Sequence, residues 1–139
     1  RLFGFDPKVA FVSHSTFGQP LTSRTKHIKN AVEILKNKNV NFEFDGDMQP
    51  DVALNKDYQN LYPFSKIVGN ANILIMPGQH SAAISYKMMK ELGDTKVIGP
   101  LLVGLGLPIE IAPLRSSTSE ILNLASIAAY SADVIDYEN

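Results

Sequence analysis

Cysteine is absent from all 139 residues, which excludes disulfide staples, thiolate metal sites and a cysteine nucleophile. Charge is scarce as well. Charged residues make up 19% of the chain and apolar residues 45%, where an average soluble domain carries about 25% charged. So sparingly charged a chain is expected to have part of its surface covered. The 13 Lys and Arg nearly balance the 14 Asp and Glu, leaving a net charge of −1, which argues against a generally basic nucleic-acid surface. Long hydrophobic runs are missing too. The longest nearly apolar stretch, Val97 to Ile109, is 13 residues and includes three glycines and two prolines, short of the roughly 20 that a membrane helix needs. The opening Arg1-Leu2-Phe3-Gly4 has neither an initiator Met nor a signal-peptide layout, and reads as a piece of a longer polypeptide. The length fits one domain that buries roughly 68–70% of its unfolded surface.

What is present alternates between strand and helix signals. Lys8 to Ser13 is an apolar run of strand formers, ending in the small, polar His14–Pro20 loop. Ile28, Ala31, Val32 and Leu35 share one face of a helix expected from Ser23 to Lys38. Val40 to Phe44 reads as a strand closed by a turn at Asp45-Gly46-Asp47. Short helical pieces broken at Pro50 and Pro63 follow. Asn72 to Met76 reads as a strand buried on both faces. It leads into a helix to about Leu92 with Ile84, Met88 and Leu92 on one stripe, and Gly93 is placed to end it. Lys96 to Leu105 and Ile109 to Pro113 are expected to be strands joined by a Gly106-Leu107-Pro108 turn. A last helix is expected from Thr118 to Tyr130, with Ile121, Leu124, Ala125 and Ala128 on its stripe and Ser117-Thr118-Ser119-Glu120 as a capping box. The expected fold class is α/β, with a mixed, mostly parallel sheet flanked by helices.

Ligands of open α/β sheets bind beyond the C-terminal ends of the strands, and three loops qualify. In the first, Ser13, Ser15 and Thr16 either cradle an anion with hydroxyls and backbone amides or merely line a connection. The Walker order of residues is missing there. In the second, Arg115, one of three arginines in the chain, precedes Ser116, Ser117 and the capping box. A guanidinium beside a positive helix end suits a phosphate, while the plain alternative is a capped helix and a solvated charge. In the third, His80 and Ser81 suggest a base and its nucleophile, but no third orienting group can be named, so helix entry is the favoured role. Asp45 and Asp47 lack the downstream acid of a calcium loop, and Gly104-Leu105-Gly106 is followed by Pro108 rather than by a nucleotide-binding helix.

Several blocks together carry a resemblance. Phe44-Asp45-Gly46-Asp47-Met48-Gln49-Pro50-Asp51-Val52-Ala53-Leu54-Asn55 resembles the DGE-L/M-Q-x-D-A-A segment of phosphotransacetylases, and Val9 to Gly18 resembles their strand and SxST-x-G loop. Gly69 to Met76, Gly99 to Leu105 and the final helix follow in the same order and spacing. The likeness covers nearly the whole chain and corresponds to the C-terminal part of a phosphotransacetylase unit. With Glu120-Ile121-Leu122 set on the family's D-I-V, the Ser-Arg pair tied there to CoA, phosphate and catalysis falls on Pro113-Leu114. Arg115 stands one place later, where the family has Gly, and Glu120 keeps the acidic character of the family's Asp. Met76 to Ala82 departs from P-x-L-x-A-G-N. Together with Pro108 to Leu114, these variants resemble the C-terminal domain of hybrid bacterial NADP-dependent malic enzymes.

That resemblance implies an isocitrate/isopropylmalate dehydrogenase-like architecture and a cytoplasmic, acetyl-CoA-responsive regulatory and oligomerisation domain without catalytic residues of its own. Ser13, Ser15, Thr16, Arg115, Ser116, Ser117 and Glu120 are then the candidate contacts to acetyl-CoA or a related phosphate ligand. Implied partners are further copies of the chain and missing N-terminal malic-enzyme domains, which would hold NADP and a divalent metal. No nucleic acid, membrane or resident cofactor is implied. An active phosphate acetyltransferase and a purely structural assembly module are the alternatives. Malate oxidation has no recognisable nucleotide fingerprint or metal-binding carboxylate cluster in these residues.

Overall fold

The computed structural model describes residues 4–94 and 96–138, with side chains described as far as 133. The chain divides into two compact units, Arg1–Lys87 and Met88–Asn139.

The first unit is built on three parallel strands. β1 (Lys8–Val12) lies between β2 (Glu43–Met48) and β3 (Ile73–Ile75), giving the order β2-β1-β3. Parallel neighbours need a crossover, and α1 (Ser23–Lys36) supplies the first one. Thr22 caps α1 reciprocally with Thr25, whose amide donates to the Thr22 hydroxyl at 3.3 Å while the Thr22 amide donates back at 2.8 Å. Val32 is buried and Ile28, Ala31 and Leu35 are partly so, as their spacing predicts. After β2 come α2 (Pro50–Leu54) and α3 (Lys56–Gln59). Pro50 opens α2 rather than breaking it, because the first turn has no use for an amide donor there. The core joins Ala10 and Met48 of the strands to Val52, Ala53, Ile67 and Ala71, with Phe17, Tyr62 and Leu74 packed against them.

Three expectations need correction in this unit. β2 is Glu43–Met48, not residues 40–44, so Asp45-Gly46-Asp47 is a strand and not a turn. The two carboxylates tolerate burial because donors meet them: the Lys66 amide reaches Asp45 at 2.7 Å and the Gly18 amide reaches Asp47 at 3.0 Å. The pairing register steps here, with Phe11 opposite Gly46 but Val12 opposite Met48, which leaves Asp47 as the extra residue of a bulge. β3 is not buried on both faces, since Ile73 and Ile75 are 40% and 42% exposed. The same is true of α4 (Gln79–Leu92), which has no buried residue and whose Ile84, Met88 and Leu92 are all exposed.

In the second unit, α5 runs from Thr118 to Glu138, longer than its stripe predicts. Residues 96–113 form no strand, so the expected hairpin is absent and the sheet is parallel rather than mixed. The stretch has strand-forming side chains but a poor backbone for a ladder. Pro100 and Pro108 lack an amide, and Gly99 and Gly104 adopt φ of 127° and 81°. The Leu102 amide donates instead to the Glu110 carboxylate at 3.3 Å.

Candidate functional site

The loop after β1 is fastened to β2 by its own hydroxyls. Ser15 is fully buried and donates to the Asp47 carboxylate, which is itself 1% exposed. The proton of Ser15 is thus spent, so Ser15 accepts from the Ser13 hydroxyl 3.1 Å away. The Ser13 oxygen therefore presents only lone pairs to its surroundings. Thr16 is buried as well, its hydroxyl oxygen accepting from the Gln49 amide at 3.2 Å. The Gln49 side chain donates to the His14 carbonyl at 2.9 Å. Phe17, at φ 48°, donates its amide to the Asp47 carbonyl at 2.6 Å and stacks edge-on against Phe64 at 4.8 Å. Ser13, Ser15 and Thr16 lie together in this loop, with most of their hydrogen bonding directed inward.

Beside this loop, beyond the C-terminal ends of β1 and β3, opens a cleft of about 740 Å³. That volume lies within the roughly 300–1,000 Å³ of small-molecule sites. Ser13 and His14 form one wall, Arg24, His27 and Ile28 of α1 a second, and Met76 to Ser81 a third. All three histidines of the chain line it, and among the described residues no Asp or Glu does. Sequence reasoning missed Arg24, His14 and His27. Arg24 and His27 are three apart on one helix, which was a usable signal, but only the fold carries them to His80.

The other four candidates gather at the start of α5. The Ser117 amide and hydroxyl donate to the Glu120 carboxylate at 2.7 and 3.0 Å, and the Glu120 amide donates back to the Ser117 hydroxyl at 3.3 Å. This is the capping box the sequence predicts. The second Glu120 oxygen receives Lys90 at 2.6 Å. Ser116 and Glu120 line a cavity of about 10 Å³, room for a single water, and Arg115 is exposed.

Lys90, followed by the Ser117 amide and hydroxyl, lowers the Glu120 carboxyl from the ordinary 4.5 to about 2. A depressed carboxyl pKa means that the contribution to stability is complete above the unfolded value and is lost on acidification. The window is therefore from about pH 4.5 down to about pH 2. A carbon-detected NMR titration of Glu120 is expected to show its midpoint near the lower limit, and Lys90→Ala to raise it. A midpoint at 4.5 in the parent chain would remove the Lys90–Glu120 pairing from this account.

Residues 1–129 match the phosphate acetyl/butaryl transferase family. The chain belongs to that family. Among its relatives, the NADP-dependent malic enzyme of Rhizobium meliloti (strain 1021) is 50% identical over 132 residues, which are 95% of this chain and 17% of the malic enzyme. The phosphate acetyltransferase of Clostridium acetobutylicum is 34% identical over 133 residues, 95% of this chain and 40% of the transferase. A solved phosphotransacetylase from Streptococcus pyogenes superposes with a TM-score of 0.87 at 34% identity, over 94% of this chain and 40% of that one. The chain thus spans well under half the length of each of these family relatives. Within the phosphate acetyl/butaryl transferase frame, the buried Ser15–Asp47 bond joins two of the segments that carry the sequence resemblance, Val9–Gly18 and Phe44–Asn55.

Proposed function

We propose that this chain is the C-terminal, phosphotransacetylase-like part of an NADP-dependent malic enzyme, where it responds to acetyl-CoA and helps assemble the parent without transferring acetyl groups itself. The observation that carries this reading is the 50% identity to a malic enzyme across 132 residues, beside 34% to a phosphate acetyltransferase over nearly the same stretch. Pro113-Leu114 stands where the resemblance places the transferases' Ser-Arg pair. Losing a fixed cation of that kind typically costs about 10²–10³ in rate, while binding asks less.

The candidate contacts to acetyl-CoA are Arg115, Ser116, Ser117 and Glu120 in the second unit and the Ser13, Ser15 and Thr16 loop in the first, each group to be tested by itself. The hydroxyls of that loop are turned inward, so its contribution would come through the backbone. The rest of the parent would bring NADP, a divalent metal and the malate chemistry. A cytoplasmic setting and an isocitrate/isopropylmalate dehydrogenase-like architecture belong to the same reading. Among the described residues no helix is long and apolar enough to cross a membrane. Self-association draws support from the apolar side chains left open to solvent, among them Val103 at 82%, Leu107 and Leu114.

Calorimetric titration of acetyl-CoA, with CoA and acetyl phosphate alongside, tests the proposal, joined to an assay of acetyl-CoA formation from acetyl phosphate. Saturable acetyl-CoA binding with turnover at least about a hundredfold below that of an intact transferase is expected. Sedimentation of the same samples is expected to give at least a dimer, and a monomer at every concentration would remove the assembly role. Arg115 lies one residue past Leu114, which is what favours the second reading, an active phosphate acetyltransferase. Turnover near that of an intact transferase would establish it.

A further inference from the structure

We propose that the cleft beyond β1 and β3 is a phosphate-binding site gripped by Arg24, His27, His14 and His80. The proposal goes beyond the acetyl-CoA reading, because it requires only a phosphate group on the ligand and rests on side chains that are not among the candidate contacts named for acetyl-CoA.

Three separate pieces of chain deliver these side chains: His14 from the loop after β1, Arg24 and His27 from the first turns of α1, and His80 from the first turn of α4. The chain as a whole is slightly acidic, with 14 Asp and Glu to 13 Lys and Arg, yet the cleft walls include an arginine, every histidine and, among the described residues, no carboxylate side chain. A guanidinium with imidazole donors beside it and no carboxylate opposite suits an anion. Metal binding is the competing use of three histidines, but no three metal-ligating side chains converge among the described residues.

The backbone adds to the same polarity. The Ala82 amide donates to the Gly78 carbonyl at 3.1 Å and begins the helical ladder of α4, so the amides of residues 79–81 lie ahead of it at the positive helix end. The hydroxyl relay decides which groups do the gripping. With Ser15 committed to Asp47 and Ser13 committed to Ser15, Ser13 has no proton for a phosphate oxygen, which leaves Arg24, the imidazoles and the Gln79 amide as side-chain donors in the lining. A guanidinium takes two phosphate oxygens at once. A volume of about 740 Å³ exceeds what a bare ion fills and fits a phosphorylated organic molecule.

Calorimetry on the 139-residue chain, with inorganic phosphate, pyrophosphate and acetyl-CoA as probes, tests this site. Saturable pyrophosphate binding is expected, weakened about tenfold or more by Arg24→Gln or His27→Gln and abolished by the pair. Both positions are exposed on α1, so unfolding midpoints should not move, and His80→Gln gives the same readout from another element. Phosphate competing as well as pyrophosphate would assign the site to the free ion, and tighter competition by acetyl-CoA to an organic phosphate. Either outcome supports the proposal. Pyrophosphate that fails to bind at millimolar concentration, or that binds the variants like the parent chain, overturns it. Acetyl-CoA binding that survives Arg24→Gln but fails with Arg115→Gln, together with pyrophosphate that does not bind, would overturn this site and leave the acetyl-CoA reading standing. The reverse pattern for pyrophosphate, with no acetyl-CoA binding at all, would do the opposite.

Discussion

Gly46→Ala is expected to cost about 3 kcal/mol or more in folding free energy, enough to shift a denaturation curve far from that of the parent chain. A methyl group at Gly46 would lie 2.7 Å from both the Cβ and the carbonyl oxygen of Phe11. Neither atom is the end of a flexible side chain. Both belong to the middle strand of the sheet, which is paired on each side and cannot retreat without breaking one ladder. The φ of 152° at Gly46 adds a conformation that an L side chain rarely adopts. Gly106→Ala is the control, since a methyl group there would have nothing within 4 Å. If urea denaturation gives the two variants the same midpoint, close packing of Gly46 on Phe11 is not what this position is for.

Asp47→Ala carries the other large expected effect, about 3–5 kcal/mol, because it strips the acceptor from two donors at once. The Ser15 hydroxyl and the Gly18 amide both end on this carboxylate, and Ser15 and Asp47 are almost wholly removed from water. A donor left unmet in such a place loses its hydration without replacement. Ser15→Ala in the same chain should therefore recover part of the loss. The double variant is expected to be more stable than the sum of the single effects allows, by about 1–3 kcal/mol. Strict additivity in the denaturation cycle would mean that the two side chains do not work as a pair.

The helices were largely legible in the sequence. The spacing of Ile28, Val32 and Leu35 identified α1, and Ser117 with Glu120 marked the start of α5 within a residue. β2 was hidden because Asp, Gly and Asp are turn formers by their local chemistry. What makes them a strand is remote: Ser15, Gly18 and Lys66 supply the donors, and Phe11 supplies the neighbour that only glycine can approach. The opposite error arose over residues 96–113, where Val, Ile and Leu promised strands. Side-chain preference does not provide a partner ladder, and the prolines and positive-φ glycines withhold the backbone that would build one. Of the candidate site, the hydroxyl loop was visible as a cluster of small polar residues. The cleft was not, because Arg24 and His27 occupy ordinary solvent-facing helix positions until the chain after β3 brings His80 to the same cleft.

The strand order also dictates when the cleft can come into being during synthesis. Ala10 pairs with Asp45, 35 residues on, and with Leu74, 64 residues on, so the central strand must wait for both partners. Closing the longer loop adds only about half a kcal/mol of entropy over the shorter, and pairings this remote belong to slow folders. As the ribosome releases the chain, β1 can meet β2 first and form the Ser15–Asp47 bond while β3 is still unmade. The hydroxyl loop is then complete before His80 arrives, and the cleft wall at the start of α4 is the last part of this unit to be laid down.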